Sequence, residues 1–362
     1  MEGQVATKGD KTWVWRNRSW LLTIVPALLA TLAAIAASIL HTNDTYILNK
    51  ALNTPESQDG KMVYLVVGSW LAVISIYVFS RWILPALAKA SKISVSKFEG
   101  LKLIGLRFQL GAFFSGLTGL IGTFAYMEVA TRYGDPTPIL VLGPLVMVYT
   151  SFYDAWRSKT SLLGNLGAVL IVFLGAVIFV NSRDSQGLNF GRDILLLMLL
   201  WSNIPFAVSR IVETEVTKKY GTNNLLFWRF VWFALLATIS VSLISWWYGT
   251  TQHLADILIT RWEILWPFLL LTIVLIVVEG FSRVVAQVKG NITEAGIYGT
   301  LEVFFALPVT WLWLTLDPKA TEVFNLPQDQ LTWNMRIAGT VIIFSGALIT
   351  TFFRLKKRKR TT

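Results

Sequence analysis

The chain has no cysteine and only two histidines, His41 and His253, in 362 residues. Without cysteine there is no disulfide framework, no thiolate metal site and no cysteine nucleophile. Both histidines fall in what reads as loop, and two isolated imidazoles do not make the clustered sites of intramembrane metalloenzymes. No Gly-x4-Gly-Lys-Ser/Thr phosphate loop occurs, so any energy for work must come from a gradient or an exchange. These absences read against an enzyme and against a resident metal or cofactor. Charge is scarce as well. Asp, Glu, Lys and Arg make up 15% of the chain and apolar residues 54%, with a mean hydropathy of +0.57. A soluble surface of this size needs more charge, so lipid is the solvent for most side chains.

Ten apolar segments follow one another, near 20–40, 62–87, 108–130, 138–153, 162–180, 194–212, 225–247, 264–287, 292–316 and 337–353. The first is too long for a signal-peptide core and is followed by no small-residue cleavage site. The expected fold is an all-α polytopic membrane protein with ten transmembrane helices and both termini inside. With that orientation, 23 Lys and Arg fall on the inner side and 8 on the outer. This agrees with the rule that cytoplasmic loops are the positive ones. The net charge of +11 does not read as a nucleic-acid surface. Its densest run, Arg354 and Lys356 to Arg360, directly follows an apolar segment, where it faces anionic lipid headgroups. Trp20, Trp82, Trp246, Trp247, Trp262 and Trp333 cluster near segment ends as interfacial anchors. Asn43-Asp-Thr45 has the form of a glycosylation sequon on the expected outer side.

The chain repeats itself. Val129-Ala130, Gly134, Thr137, Gly143 and Leu145 recur at constant offset as Val285-Ala286, Gly290, Thr293, Gly299 and Leu301. Ile171–Ile178 is matched by Ile342–Ile349. Two matches in the same order divide the chain into an N-terminal tail (1–19), a first five-helix repeat (20–182), a second (183–353) and a basic tail (354–362). Five spans is an odd number, so the second repeat enters the membrane from the opposite side. Inverted repeats of this kind are a transporter architecture with the substrate site near the midplane.

These features resemble the drug/metabolite transporter superfamily, and within it the ten-helix EamA-type transporters, over roughly residues 15–356. The likeness rests on the five-plus-five layout, on Tyr126-Met-Glu-Val-Ala130 and Gly134-Asp-Pro-Thr137, on Leu142-Gly-Pro-Leu145, and on the glycine-spaced fifth and tenth helices. Asp154 resembles the acidic residue closing the fourth helix, and Leu301-Glu302 the Leu-Glu-Pro step of the ninth. The proline of that step is Val303 here, the first span lacks a polar start, and the loop at 41–61 is long. The resemblance implies that helices one to four and six to nine surround a cavity, with five and ten outside it.

Intramembrane ionisable groups are the candidate site, since a carboxylate at a helix centre costs about 2.5–3.5 kcal/mol on insertion scales. Glu302, about 15 Å into the ninth segment, reads as a cavity carboxylate for a cation, an amine or a coupling proton, against a glutamate tying two helices together. Glu279 and Arg283, four residues apart, read first as a mutually neutralising pair and second as substrate contacts. Glu128 and Arg132 repeat that spacing near the outer end, as a gating or structural pair. Tyr126, Tyr298, Trp201, Ser202 and Asn203 are polar groups that either shape a site or join helices. Pro205 and Gly143-Pro144 interrupt helices at mid-depth. Gly111, Ser115, Gly119 and Thr123 form a small-residue packing ridge. Arg107 and Arg229 read as snorkelling residues before they read as anion attractants.

The expected function is a secondary transporter, an exporter or exchanger, of a small polar metabolite such as an amino acid. Its partners are that small molecule and the bilayer, with no nucleic acid, and it is a monomer or homodimer. The simplest location is a bacterial cytoplasmic membrane. The alternatives are a non-transporting membrane partner or sensor, and a membrane enzyme acting on lipid-linked substrates.

Overall fold

The computed structural model describes residues 9–51, 57–91, 98–133, 139, 142–158, 162–180, 196–289, 295, 298–299, 301–317, 324 and 330–359. No β-strand occurs among them. The α-helices are α1 (Gly9–Tyr46), α2 (Ser57–Val78), α3 (Leu84–Ser91), α4 (Leu106–Tyr133), α5 (Val146–Ser158), α6 (Leu162–Val180), α7 (Ile204–Tyr220), α8 (Thr222–Tyr248), α9 (Thr251–Lys289), α10 (Leu301–Leu316) and α11 (Gln330–Lys359). Every apolar segment read from the sequence overlaps one of them. Among the described residues, five stretches are long and apolar enough to cross a membrane: Val25–Asn49, Gly60–Lys89, Leu106–Thr131, Thr222–Tyr248 and Leu265–Val288. Helix suits such a setting, because hydrocarbon offers no water to an unpaired backbone N–H or C=O.

His41 is not in a loop. α1 runs to Tyr46 and continues as a π turn, Ile47–Ala51, so most of the long loop expected at 41–61 is helical. Hydropathy falls at His41-Thr-Asn-Asp-Thr45, but Thr42, Asn43, Asp44 and Thr45 are buried among other helices. The Thr42 and Thr45 hydroxyls donate to the carbonyls of Ser38 and His41, at 2.8 and 2.9 Å. Asn43 Nδ2 donates to Thr272 Oγ1 of α9 at 2.8 Å. The sequon asparagine is therefore an interior residue. His253 also lies in helix, in the first turn of α9.

Pro205 interrupts a helix as expected, and the form of the interruption is a π turn, Leu197–Asn203, directly before α7. Proline has no N–H and crowds the carbonyl one turn back, so the regular ladder does not pass through it. The irregular stretch is braced by side chains. Asn203 Nδ2 donates to the Leu142 carbonyl at 2.7 Å, beside the 3-10 turn Gly143–Leu145, and the Tyr149 hydroxyl donates to the Leu199 carbonyl at 2.9 Å.

α7, α8 and α9 form two tight hairpins. Gly221 alone separates α7 from α8 with φ of 85°, and Gly249 ends α8 at φ of 71°. Both are conformations that side-chain-bearing residues rarely adopt, so glycine makes the reversals short. Short reversals force the helices to lie antiparallel and adjacent.

Long-range packing joins the two halves of the chain. α1 lies along α9 and α10, and α7 lies along α4 and α5; α2 packs on α8 and α9, and α4 on α7 and α8; α6 packs on α11. Gly111 of the small-residue ridge of α4, and Gly116 beside that ridge, make these approaches close. A Cβ on Gly116 would stand 2.9 Å from the Arg229 carbonyl oxygen of α8, and one on Gly111 2.6 Å from a methyl of Val216 on α7. At the α6–α11 crossing, a Cβ on Gly175 would stand 2.8 Å from the Gly339 carbonyl.

Candidate functional site

A cavity of about 230 Å³ opens between α1, α2, α4, α7, α8, α9 and the start of α10; among the described residues, none of α6 or α11 lines it. Its walls carry charge of both signs. Arg210, Arg229 and Arg283 face it, as do Asp44, Glu279, Glu302 and His41. A smaller neighbouring cavity of about 30 Å³ shares Arg210, Glu279, Arg283 and Glu302.

The first cluster forms around Glu213, which is fully buried on α7. Glu213 and Arg229 stand eight residues either side of Gly221, so the hairpin sets them at one depth, about 12 Å from the turn. They pair at 2.9 Å. Arg283 of α9 reaches the other carboxylate oxygen at 2.8 Å and holds Glu279, one turn before it, at 2.6 Å. Ser209 and Ser115 complete the shell, donating to Glu213 Oε1 at 3.1 and 3.2 Å and lying 2.9 Å from each other. Two carboxylates and two guanidiniums thus neutralise one another across α7, α8 and α9, with two hydroxyls donating to Glu213. Charges taken out of water persist when paired and hydrogen-bonded in this way.

The second cluster forms around Asp44 of α1. The Tyr64 hydroxyl of α2 donates to one oxygen and the Tyr126 hydroxyl of α4 to the other, the latter at 3.0 Å. Tyr64 also lies 3.2 Å from Thr272 Oγ1 of α9. Among the described residues, no Lys, Arg or His makes an ion pair with Asp44.

Two groups lie apart from these clusters. His41 Nε2 is 3.2 Å from Glu302 Oε1, and its ring tilts against Tyr126 with centroids 4.9 Å apart. Its Nδ1 is buried without a hydrogen-bond partner. The Arg210 guanidinium lines both cavities and, among the described residues, makes no ion pair or hydrogen bond.

The structure brings some of the residues singled out in the sequence to the cavity and places others elsewhere. Glu302, Glu279, Arg283, Tyr126 and Ser202 line it. Glu302 stands in the first turn of α10, and Tyr298 and Gly299 before it are also helical. Glu279 and Arg283 do form their pair, but Arg283 is shared with Glu213. Trp201 is 61% exposed on the outside of the bundle. Asn203 is buried but spends its amide on the Leu142 carbonyl. Tyr298 is half-buried and does not line the cavity. Glu128 pairs with Lys61 of α2 at 2.5 Å; the side chains of its expected partner Arg132 and of Asp154 lie outside the described residues, as do Gly134, Thr137, Gly290 and Thr293.

Arg229 is a correction. It is buried in an ion pair and does not snorkel. Arg107 is exposed at the start of α4, as a snorkelling residue is. Arg210, Arg229 and Arg283 had all counted toward the inner side; without them that side still leads by more than two to one.

Sequence reasoning missed Asp44, Arg210 and Glu213, and a signal for them exists. His41-x-x-Asp44-Thr45 and Arg210-x-x-Glu213-Thr214 share one spacing. In each, the threonine hydroxyl donates at 2.9 Å to the carbonyl of the residue four before it. Among the described residues no group of three or more His, Asp or Glu is arranged to hold a metal ion. No family model matches the chain, and no curated protein matches it in sequence.

Proposed function

We propose that the protein is a secondary transporter of a small polar metabolite of the amino-acid class, working by alternating access. Arg210 carries this reading. It is a guanidinium with no close partner among the described residues, in a cavity that also holds the carboxylates of Asp44 and Glu302. An unpaired guanidinium binds a carboxylate with two parallel hydrogen bonds. A carboxylate lacking a cation takes an ammonium group. A solute with both groups satisfies both walls, and in a site shielded from water those contacts are worth more than in solution.

The packing supports two five-helix halves, residues 20–182 and 183–353, and the Lys and Arg distribution supports placing both termini inside. Exchanging the halves maps the main pairings between them onto one another: α1 on α9 becomes α7 on α4, α1 on α10 becomes α7 on α5, and α2 on α9 becomes α8 on α4, while α2 on α8 and α6 on α11 map to themselves. A cavity between such halves changes sides when one rocks against the other. This is the arrangement implied by the resemblance to EamA-type drug/metabolite transporters, and a bacterial cytoplasmic membrane is its simplest setting.

The test is a thermal-stability screen of the purified protein against the proteinogenic amino acids, beside Arg210→Gln and Glu302→Gln. A ligand at a hundred times its Kd stabilises the native state by about 2.7 kcal/mol. A compound that stabilises the wild type and neither variant supports the reading. Equal stabilisation of all three places binding outside this cavity. No stabilising compound favours a non-transporting membrane partner or sensor.

A further inference from the structure

The two carboxylate clusters are counterparts built with different chemistry. Asp44 and Glu213 each lie three residues after a cavity-facing base, His41 or Arg210, and just before a threonine that bonds back to that base's carbonyl. Each carboxylate is held by one residue of the next long helix, Tyr64 or Arg229, and one of the helix after, Tyr126 or Arg283. Each cluster also takes a hydroxyl from the opposite half: Thr272 in the first, Ser115 in the second. Ser115 and Tyr126 are eleven residues apart on α4, and Thr272 and Arg283 are eleven apart on α9. The spacing corresponds and the groups do not; Tyr126 and Arg283 stand one residue outside the offset that relates Val129 to Val285. Where Glu213 has two guanidiniums, Asp44 has two phenol hydroxyls.

That difference decides what each carboxylate can do. Glu213 is neutralised by protein charge in place. Asp44 is 7% exposed, has only neutral donors, and needs its neutralising charge from outside the protein. The titratable and charged groups that line its cavity or stand within a turn of its partners are Tyr64 and Lys61 on α2, Tyr126 and Glu128 on α4, Arg210 on α7, Arg229 on α8, Glu279 and Arg283 on α9, Glu302 on α10, and His41 on its own helix; of these, the two tyrosines hydrogen-bond to it. Lys61 is committed to Glu128, and His41 to Glu302.

We propose that Asp44 is the site of the coupling proton, resting on the transporter reading above. The carboxylate takes one proton from bulk water when the cavity opens to one side and returns it to bulk water on the other, with no net chemistry. A protonated carboxyl brings no charge into the closed cavity. When Asp44 loses its proton, the Tyr64 and Tyr126 hydroxyls donate to the oxygens that remain. Glu213 keeps its pairs throughout and serves as the fixed counterpart, which makes the cycle dependent on one proton site instead of two.

The test has two readouts. Infrared difference spectra of the detergent-purified protein, taken as the pH is lowered, read the C=O stretch of a newly protonated carboxyl. The band should appear in wild type, be missing in Asp44→Asn, and shift in Tyr126→Phe, which keeps the carboxyl and removes one donor. An unchanged band in Asp44→Asn overturns the proposal. If Asp44→Asn does not fold, an unshifted band in Tyr126→Phe overturns it.

The second readout uses proteoliposomes with an equimolar mixture of the proteinogenic amino acids as probe. Wild type should accumulate the mixture when a pH gradient is imposed, and Asp44→Asn should lose that accumulation by about tenfold or more. Accumulation driven by a sodium gradient and indifferent to pH overturns the proposal. Absence of exchange in wild type instead overturns the transporter reading and coupling with it, while the spectra still decide whether Asp44 takes up a proton.

Discussion

Glu213 and Arg229 meet at 2.9 Å because a single glycine, Gly221, reverses the chain midway between them. The pair is buried on both sides, and Arg283 binds the same carboxylate from a third helix. One sequence-local hairpin therefore places a charge that organises three helices.

Breaking this network on one side should cost far more than a surface ion pair does. Arg229→Leu leaves Glu213 with one cation in place of two and should destabilise the bundle by roughly 3–5 kcal/mol, the cost of stranding a buried charge. Unfolding by sodium dodecyl sulfate in mixed micelles measures it. The double variant Arg229→Leu, Glu213→Leu should recover part of the loss, because no stranded carboxylate remains.

Gly116 of α4 and Gly280 of α9 predict a contrast between glycines. Gly116→Ala puts a methyl 2.9 Å from a carbonyl oxygen and 3.0 Å from a backbone nitrogen of α8, neither of which can swing aside. It should lose roughly 1–3 kcal/mol by overpacking. Gly280→Ala meets only a leucine methyl at 3.8 Å and should be neutral or better, since alanine favours helix over glycine by about 0.5–1 kcal/mol. The same micellar unfolding assay, run on both, checks the sign of each.

Trp201 supplies a negative control for the site. It is exposed on the outer wall, so Trp201→Ala should leave the ligand-induced rise in thermal stability within about twofold of wild type in apparent affinity. Arg210→Gln should weaken that affinity by at least about tenfold, the cost of one charge-assisted contact of the kind Arg210 offers. A titration of thermal stability against ligand concentration reads both.

The helices were legible in the apolar runs, because a segment of about 20 apolar residues has few other uses. Their interruptions were legible only in part. Pro205 announces a break, but the π turn before it is a backbone response with no residue of its own. The end of α1 was misplaced for a physical reason: hydropathy treats His41, Thr42, Asn43 and Asp44 as solvent-facing, and here they face each other and neighbouring helices.

The same blindness hid Glu213. It stands among Glu215, Lys218 and Lys219 near the end of its segment, where a charged residue reads as surface. Its equal distance from Gly221 with Arg229 was the available sign. Glu302, Glu279, Arg283 and Tyr126, which line the cavity, are legible in the sequence because a charge or a phenol inside an apolar run stands out. Arg210 was missed because it sits two residues from the segment's end and looks like an ordinary cytoplasmic anchor.

The absence of cysteine makes the central claim directly testable, since one introduced thiol has no background. Ser69 lines the cavity from α2 and is replaced by cysteine with little change in volume. A membrane-impermeant maleimide should label Ser69→Cys in both right-side-out and inside-out vesicles, and the amino-acid mixture should change the ratio of the two. Labelling from one face only, with and without the mixture, would contradict a cavity that opens to each side in turn.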